Sequence, residues 1–321
     1  MTPEPAQSWR PNCSTAALRL RAVVLREIRA FLDGRGVLEV ETPVLSRGAN
    51  TDPNIESFEL AEGWYLRTSA EFPMKRLLAA GSGPIYELGR VFRRSEAGRW
   101  HNPEFTMLEW YRPGLDYHAL IDEVFDLIRH VAQAAGHRIR GSGKIAFAEA
   151  FREITDGIDP LAADALELSE LLRRRSWFEG ALSRREAMDL IIARGLPQLC
   201  ASGELLAVYD FPIEMAALAS ASSLDPRVAQ RFEVYLDGME LANGYQELTD
   251  AAELESRIEH ENRSRAERGQ AVLPADRHLL AAQRSGLPEC AGVALGVDRL
   301  IAAVTSASCL DEVMAFTADR A

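Results

Sequence analysis

The chain has 321 residues, 47% of them apolar and 26% charged, which excludes a disordered or fibrous protein and allows one large or two ordinary cores. Its formal charge is -12, whereas proteins that grip a phosphate backbone are usually basic; Arg93-Arg94, Arg138-Ile139-Arg140 and Arg173-Arg174-Arg175 either gather into a patch or face water. No apolar run reaches the roughly 18 residues of a spanning helix, and the stretch Ala291 to Leu300 is broken by Asp298 and Arg299, so no membrane partner is expected. Met1 to Pro11 has neither a basic start nor an apolar core, which predicts a cytoplasmic protein. Cys13, Cys200, Cys290 and Cys309 form no CxxC pair and read as reduced structural thiols.

Ser14 or Thr15 caps a predicted helix whose apolar positions Leu18, Val24, Ile28, Phe31 and Leu32 follow helical spacing, and Gly34 and Gly36 end it. Val37 to Val44 reads as a strand that Pro43, lacking an N–H for a ladder, either closes or places at a sheet edge. A short helix over 70–80 stops at Gly81. Strands over 84–93 and 104–112 flank a polar loop, and Asp116 caps a helix that runs to about Gly136. Residues 161–195 read as helices and Ala207 to Ile213 as a strand. Arg231 to Leu236 and Met239 to Leu248 flank Asp237-Gly238, the dipeptide of a two-residue type I′ hairpin. A helix over 250–268 follows, then a strand and helix within Gly292 to Val304. Hairpins outnumber alternating helices, so the pattern predicts an α+β fold, an antiparallel sheet covered by helices.

Three constellations carry chemistry. Across the hairpin Tyr235 faces Glu240, and Glu233 projects from the same sheet face, so two carboxylates sit as diagonal neighbours. Such a pair belongs either in open water or around a cation such as magnesium. In Glu104 to Arg112 alternation sends Phe105, Met107, Glu109 and Tyr111 to one face. A carboxylate among aromatics requires a salt-bridge partner or a ligand ammonium. Gly292-Val293-Ala294-Leu295-Gly296-Val297-Asp298-Arg299 is a small-residue strand leading to an arginine, suited to tight sheet packing or to a phosphate.

Phe92-Arg93 through His101 to Glu109, Glu240 to Leu248 and Gly292 to Arg299 resemble the catalytic core of the class II lysyl-tRNA synthetases, and Phe31 to Pro43 resembles the first motif of that class. The resemblance extends from about residue 15 to the C-terminus, with residues 1–14 as an N-terminal extension and 15–321 as the catalytic domain. Only a short segment precedes the core, where those synthetases carry an anticodon-binding barrel. With Glu109-Trp110-Tyr111-Arg112-Pro113 and Gly292 to Gly296, this makes the chain more similar to the paralogous family that ligates (R)-β-lysine to elongation factor P.

The resemblance implies a class II synthetase-like fold, ATP and Mg2+ as cofactors, and a homodimer formed through the first motif. It implies (R)-β-lysine as the amino acid and elongation factor P as the acceptor, with no tRNA. Arg93 is expected to stabilise the charge that builds at phosphorus, Phe105 to stack on adenine, His101 to cover the nucleotide and Arg299 to hold the γ-phosphate. Glu233 and Glu240 match the magnesium pair, and Ser69, Glu71, Glu109, Tyr111, Asn243, Tyr245 and Glu247 match the amino-acid pocket. Strict alternation puts Glu240 and Glu247 on opposite faces, so a bulge near Ala242-Asn243-Gly244 is expected. Two positions depart from the lysyl-tRNA synthetases. Ser95 stands where they have the glutamate that reads adenine, with Glu96 one place later, and Ala294 stands where they have glycine, a methyl group that reshapes the reacting end. The rival readings are a truncated lysyl-tRNA synthetase and a catalytically inactive, synthetase-derived subunit.

Overall fold

Ser14 accepts a hydrogen bond from the amide of Ala17 and starts α1 (Thr15–Asp33), which buries Val24, Ile28, Phe31 and Leu32. In this computed structural model, which describes residues 9–321, the predicted helix therefore forms with its expected cap and face; residues 1–8 of the expected extension lie outside the described residues. The chain continues through β1 (Leu38–Glu39), β2 (Leu45–Ser46), β3 (Glu59–Leu60) and β4 (Trp64–Leu66) to α2 (Glu71–Ala79), β5 (Ile85–Phe92) and β6 (Glu104–Pro113). Then come α3 (Tyr117–Ala134), β7 (Gly141–Ala146), α4 (Phe147–Thr155), α5 (Ala165–Arg174), α6 (Arg184–Gly195) and β8 (Glu204–Pro212). The last elements are β9 (Val228–Leu236), β10 (Met239–Gln246), α7 (Ala251–Glu267), α8 (Arg277–Gly286), β11 (Cys290–Gly296) and α9 (Val297–Thr305).

The main sheet has the order β1-β5-β6-β11-β10-β9-β8-β7, antiparallel through its six central strands. The expected α+β sheet flanked by helices is therefore present, and the edge strands β1 and β7 add a parallel pair on each side. Val37 to Val44 is not one strand. Leu38–Glu39 pairs with β5, the chain leaves the sheet before Pro43, and Leu45–Ser46 joins the small sheet β2-β4-β3. Strand β7, rich in glycine and serine, carried no strand signal, and helices α4 and α8 complete what the sequence left open.

One face of the sheet packs Tyr86, Leu108, Trp110, Phe232, Val293 and Leu295 against α1, α3 and α9, forming the main core. On the opposite face, α4, α5 and α6 pack on Val208, Phe211 and Tyr235. At the far end of that same face, Met74 and Leu78 of α2 pack on Ile85, Tyr111 and Cys290. The gap between these two helical packs is where the cleft lies. Near the termini, Asn12 donates from its backbone to Ala315 (2.8 Å) and from its side chain to Thr317 Oγ1 (3.1 Å), tying the two ends together.

Candidate active site

Strand register decides which side chains meet. Glu233, Asn243, Ala294 and Glu109 fall in one line across β9, β10, β11 and β6, and Arg231, Tyr245, Gly292 and Tyr111 fall in the next. The intervening Phe232, Val293 and Trp110 face the main core, so both lines point into the cleft. A cavity of about 350 Å³ there is lined by Ser69, Glu71, Arg93, His101, Phe105, Glu109, Tyr111, Glu240, Asn243, Tyr245, Glu247, Ala294 and Arg299. Every expected site residue except Glu233 thus lines one cavity.

The hairpin is as predicted: Asp237 and Gly238 have φ of 52° and 78°, and Glu240 pairs with Tyr235. The required bulge is present at the leading edge of the expected region, between Glu240 and Ala242. Leu241 and Ala242 both enter the core, so Glu240 shares the cleft face with Asn243, Tyr245 and Glu247. Gly244 serves packing instead, since a Cβ there would stand 2.4 Å from the Phe232 ring and 2.7 Å from the Gly292 carbonyl oxygen. Gly292, which also lines the cavity, makes room for neighbouring side chains. A Cβ at that position would meet Glu247 Oε1 at 2.3 Å and the Tyr111 ring at 2.4 Å.

At one end of the cavity three buried or half-buried carboxylates converge. Glu109 accepts from the Ala70 amide (2.7 Å) and from Ser69 Oγ (2.9 Å), which fixes it at the start of α2. Desolvation nevertheless lifts its carboxyl to about 7, with the Ala70 bond opposing and Glu71 adding to the rise. Desolvation lifts Glu247 to about 7 as well, against the pull of Lys75. Lys75 lies 2.6 Å from Glu71 Oε1 and 2.6 Å from Glu247 Oε2. Burial alone would lower its ammonium, but Glu247 and Glu71 outweigh burial and hold it above the ordinary lysine value. The buried side-chain oxygen of Asn243 has no hydrogen-bond partner, an acceptor facing a cavity of acceptors. A ligand carrying ammonium groups supplies what this end lacks.

The other end carries the arginines. Arg93 Nη1 donates to Glu96 (3.0 Å), Arg93 Nε donates to the Thr68 carbonyl (3.3 Å), and its guanidinium lies 5.3 Å from the centre of the Phe105 ring. Arg299 donates to the carbonyls of Trp100 and Glu240, both at 3.2 Å, and its Nη2 lies 2.6 Å from His101 Nε2. Desolvation and the Arg299 charge push His101 below the ordinary histidine value, which keeps that nitrogen an acceptor. Glu96 lines the cavity, whereas Ser95 turns away to hydrogen-bond Glu56.

Glu240 faces the cavity with Arg299 3.7 Å away, and desolvation with the neighbouring Glu233 lifts its carboxyl to about 7. Glu233 lies behind it, held by Arg231 (2.5 Å) and by the Tyr235 hydroxyl. Among the described residues no group of three His, Cys, Asp or Glu side chains is placed to hold a metal alone. Two oxygen donors beside arginines fit a hard cation whose other ligands are phosphates and water.

The chain matches the family model described as tRNA synthetases class II (D, K and N) over residues 6–320. The chain belongs to this class II synthetase family. Relatives named "Elongation factor P--(R)-beta-lysine ligase" include those of Edwardsiella ictaluri, 46% identical over 98% of both chains, and Photorhabdus laumondii, 45% identical over 98% of both. That of Erwinia tasmaniensis is 46% identical, again over 98% of both chains. The class II fold, the ligase relatives and the expected ATP-dependent amino acid ligase chemistry therefore agree. What the sequence reading missed in this class II site is Lys75. Its signal was a lysine four residues after Glu71, between Met74 and Leu78 on the buried side of a short helix.

Proposed function

We propose that the chain activates (R)-β-lysine with ATP and transfers it to a lysine ε-amino group of elongation factor P, with residues 15–321 as the catalytic domain. The observation that carries this reading is one cavity with acidic amino-acid-sized chemistry at one end and two arginines at the other. In the first step the amino acid carboxylate attacks the α-phosphorus and pyrophosphate leaves. In the second, the acceptor amine attacks the carbonyl carbon of the adenylate and AMP leaves. Neither step needs a protein nucleophile: positioning and charge neutralisation carry the displacement at phosphorus in the first, and in the second the acceptor amine is itself the nucleophile at the adenylate carbonyl, losing a proton as AMP leaves.

Arg93 is assigned to the charge that grows at the α-phosphate, Arg299 to the γ-phosphate, Phe105 to the adenine face and His101 to the covering loop. Glu96, which already pairs with Arg93 inside the cavity, is better placed than Ser95 to meet the base. Ser69, Glu71, Glu109, Tyr111, Asn243, Tyr245 and Glu247 hold the amino acid, with Ala294 between Asn243 and Glu109 on the floor. Glu240, with Glu233 behind it, would hold Mg2+, which when bound neutralises phosphate charge. Two of the four lone-pair sites of Glu233 are already taken, which makes Glu240 the main ligand.

A homodimer through the first motif suits the exposed Leu38 on that segment and the exposed Val44 and Leu45 that follow it. No described helix is long and apolar enough to cross a membrane. A translation factor as acceptor supports a cytoplasmic enzyme. The test is to incubate the enzyme with ATP, β-lysine and either elongation factor P or bulk tRNA, then measure mass. One β-lysyl unit on the protein, lost when the acceptor lysine becomes arginine, is the expected result. Stable charging of tRNA without protein modification overturns it in favour of a synthetase.

A further inference from the structure

Lys75 is buried, its ammonium is in contact with two carboxylates, and it does not itself line the cavity. It reaches its place because α2 stacks Glu71 and Lys75 one turn apart while Met74 and Leu78 anchor the helix on the sheet. The partner on the far side, Glu247, comes from the end of β10 and is pressed against Gly292. Glu109 enters from β6, Tyr111 from the same strand, and Cys290 from β11. Arg67, whose charge reaches Glu109, is already committed to Glu87 at 2.5 Å, and Arg231, in line with Tyr245, is committed to Glu233 at 2.5 Å.

Charge arithmetic on this cluster has a definite outcome. Glu71, Glu109 and Glu247 bring three negative charges when ionised, and Lys75 cancels one of them. Two remain. We propose that Lys75 is a built-in counter-ion that sets the charge valence of the amino-acid cavity, so that the ligand that neutralises it carries two ammonium groups and a monoammonium amino acid leaves a carboxylate unpaired. This inference rests on the diamino acid reading above and deepens it. Lys75 is a positioning residue; it selects through Glu71 and Glu247 without touching the substrate. Burial makes the selection steep, because an unpaired charge at a desolvated site is costly where the same mismatch in water is not.

The test separates charge from packing. Lys75→Met, Glu247→Gln and the double variant are compared by amino-acid-dependent pyrophosphate exchange, with folding checked by thermal melting of the intact enzyme. Glu247→Gln alone leaves one uncompensated negative charge and is expected to raise KM for β-lysine at least about tenfold. Adding Lys75→Met restores two, so the double variant is expected to bind β-lysine more tightly than Glu247→Gln. Rescue of a damaged site by a second truncation is not what a packing role produces. A double variant as weak as or weaker than Glu247→Gln overturns the proposal. If Lys75→Met does not fold, Lys75→Arg keeps the charge and must keep the preference for diamino acids over norleucine; loss of that preference in a folded Lys75→Arg enzyme also overturns it. A wild-type enzyme that activates no diamino acid sinks the functional reading instead, and that result is visible before any variant is made.

Discussion

At the amino-acid end of the cavity the charges already face one another, with Glu109 2% exposed, Glu247 1% and the Lys75 side chain 3%. At the nucleotide end the side chains of Arg93 and Arg299 are each 23% exposed and that of Glu240 40%. The difference follows from where each group sits. Glu109 and Gly292 lie on paired central strands under α2, so their surroundings are set by sheet register. Arg93 lies just past the end of β5 in a loop, and Arg299 in the first turn of α9, where backbone carbonyls hold parts of each guanidinium and the rest faces the cavity. In the proposed function the closed end discriminates among amino acids, because its carboxylates are held in position by the sheet, the Ala70 amide and Lys75 before a ligand arrives. In that reading the open end acts on charge that appears only during reaction, which is where arginines contribute most to rate.

The largest effect expected from this contrast is at the open end. Arg93→Ala and Arg299→Ala should each lower adenylate formation by about 10²–10³ while thermal melting stays near wild type, since each removes a preorganised charge and no core contact. Pyrophosphate exchange measures the first and calorimetry the second. A loss under about tenfold, or a melting shift as large as that of a core truncation, would remove these residues from the assigned roles.

Much of this contrast was legible in the sequence, because hairpin chemistry and strand alternation are local. Asp237-Gly238 fixed the β9–β10 register, and with it the meeting of Tyr235 and Glu240. Alternation in β6 placed Phe105, Met107, Glu109 and Tyr111 on the cleft side. The roles of the arginines, Phe105 and the carboxylates came from family resemblance, and the structure brings all of them except Glu233 to one cavity. What stayed hidden depends on distant contacts. Lys75 looks like one more helix residue until Glu247 arrives from another strand. The bulge sits at Leu241, at the leading edge of the expected Ala242-Asn243-Gly244 region, while Gly244 is taken up by packing against Phe232 and Gly292. Strand β7 is set by the neighbouring β8 and by no pattern of its own, and the parallel direction of β1 is set by β5.

A pH series sharpens the same comparison from the closed end. Desolvation raises both Glu109 and Glu247 from the ordinary 4.5 to about 7, so both are partly protonated in the free enzyme at neutral pH. These groups bind protons more tightly folded than unfolded. Their protonation therefore stabilises the ligand-free enzyme below about pH 4.5, and that contribution is lost as pH rises through about 7. A bound diammonium ligand requires them ionised, so binding must release protons. KM for β-lysine should fall as pH rises from about 6 to 8, by up to about tenfold per unit for each proton released. Calorimetric heats at pH 7 in buffers of different ionisation enthalpy should show that release directly. Heats independent of buffer would mean the carboxylates are already ionised, and the closed end would lose its pH sensitivity.

The smallest expected effect concerns a single methyl group. Ala294 pairs with Asn243 on one side and Glu109 on the other, so its Cβ stands on the cavity floor between an unpartnered acceptor and a buried carboxylate. An amino acid with its amino group on the β-carbon sets its carboxylate one bond further from that group than an α-amino acid does. On the proposed reading, with the distal ammonium held at the closed end, the methyl decides which of the two spacings delivers the carboxylate to the open end. Ala294→Gly removes that contact and should shift the ratio of kcat/KM for α-lysine over β-lysine upward by roughly tenfold, the low end of what one methylene of pocket shape is worth. Glycine in a central strand also costs about 0.5–1 kcal/mol of stability, which lowers melting without changing the ratio. The ratio is therefore the quantity to measure, by pyrophosphate exchange with each isomer on the same enzyme preparation. An unchanged ratio would place the choice between the isomers in the two ammonium anchors alone, at Glu71, Glu109 and Glu247, and leave the floor residue with packing only.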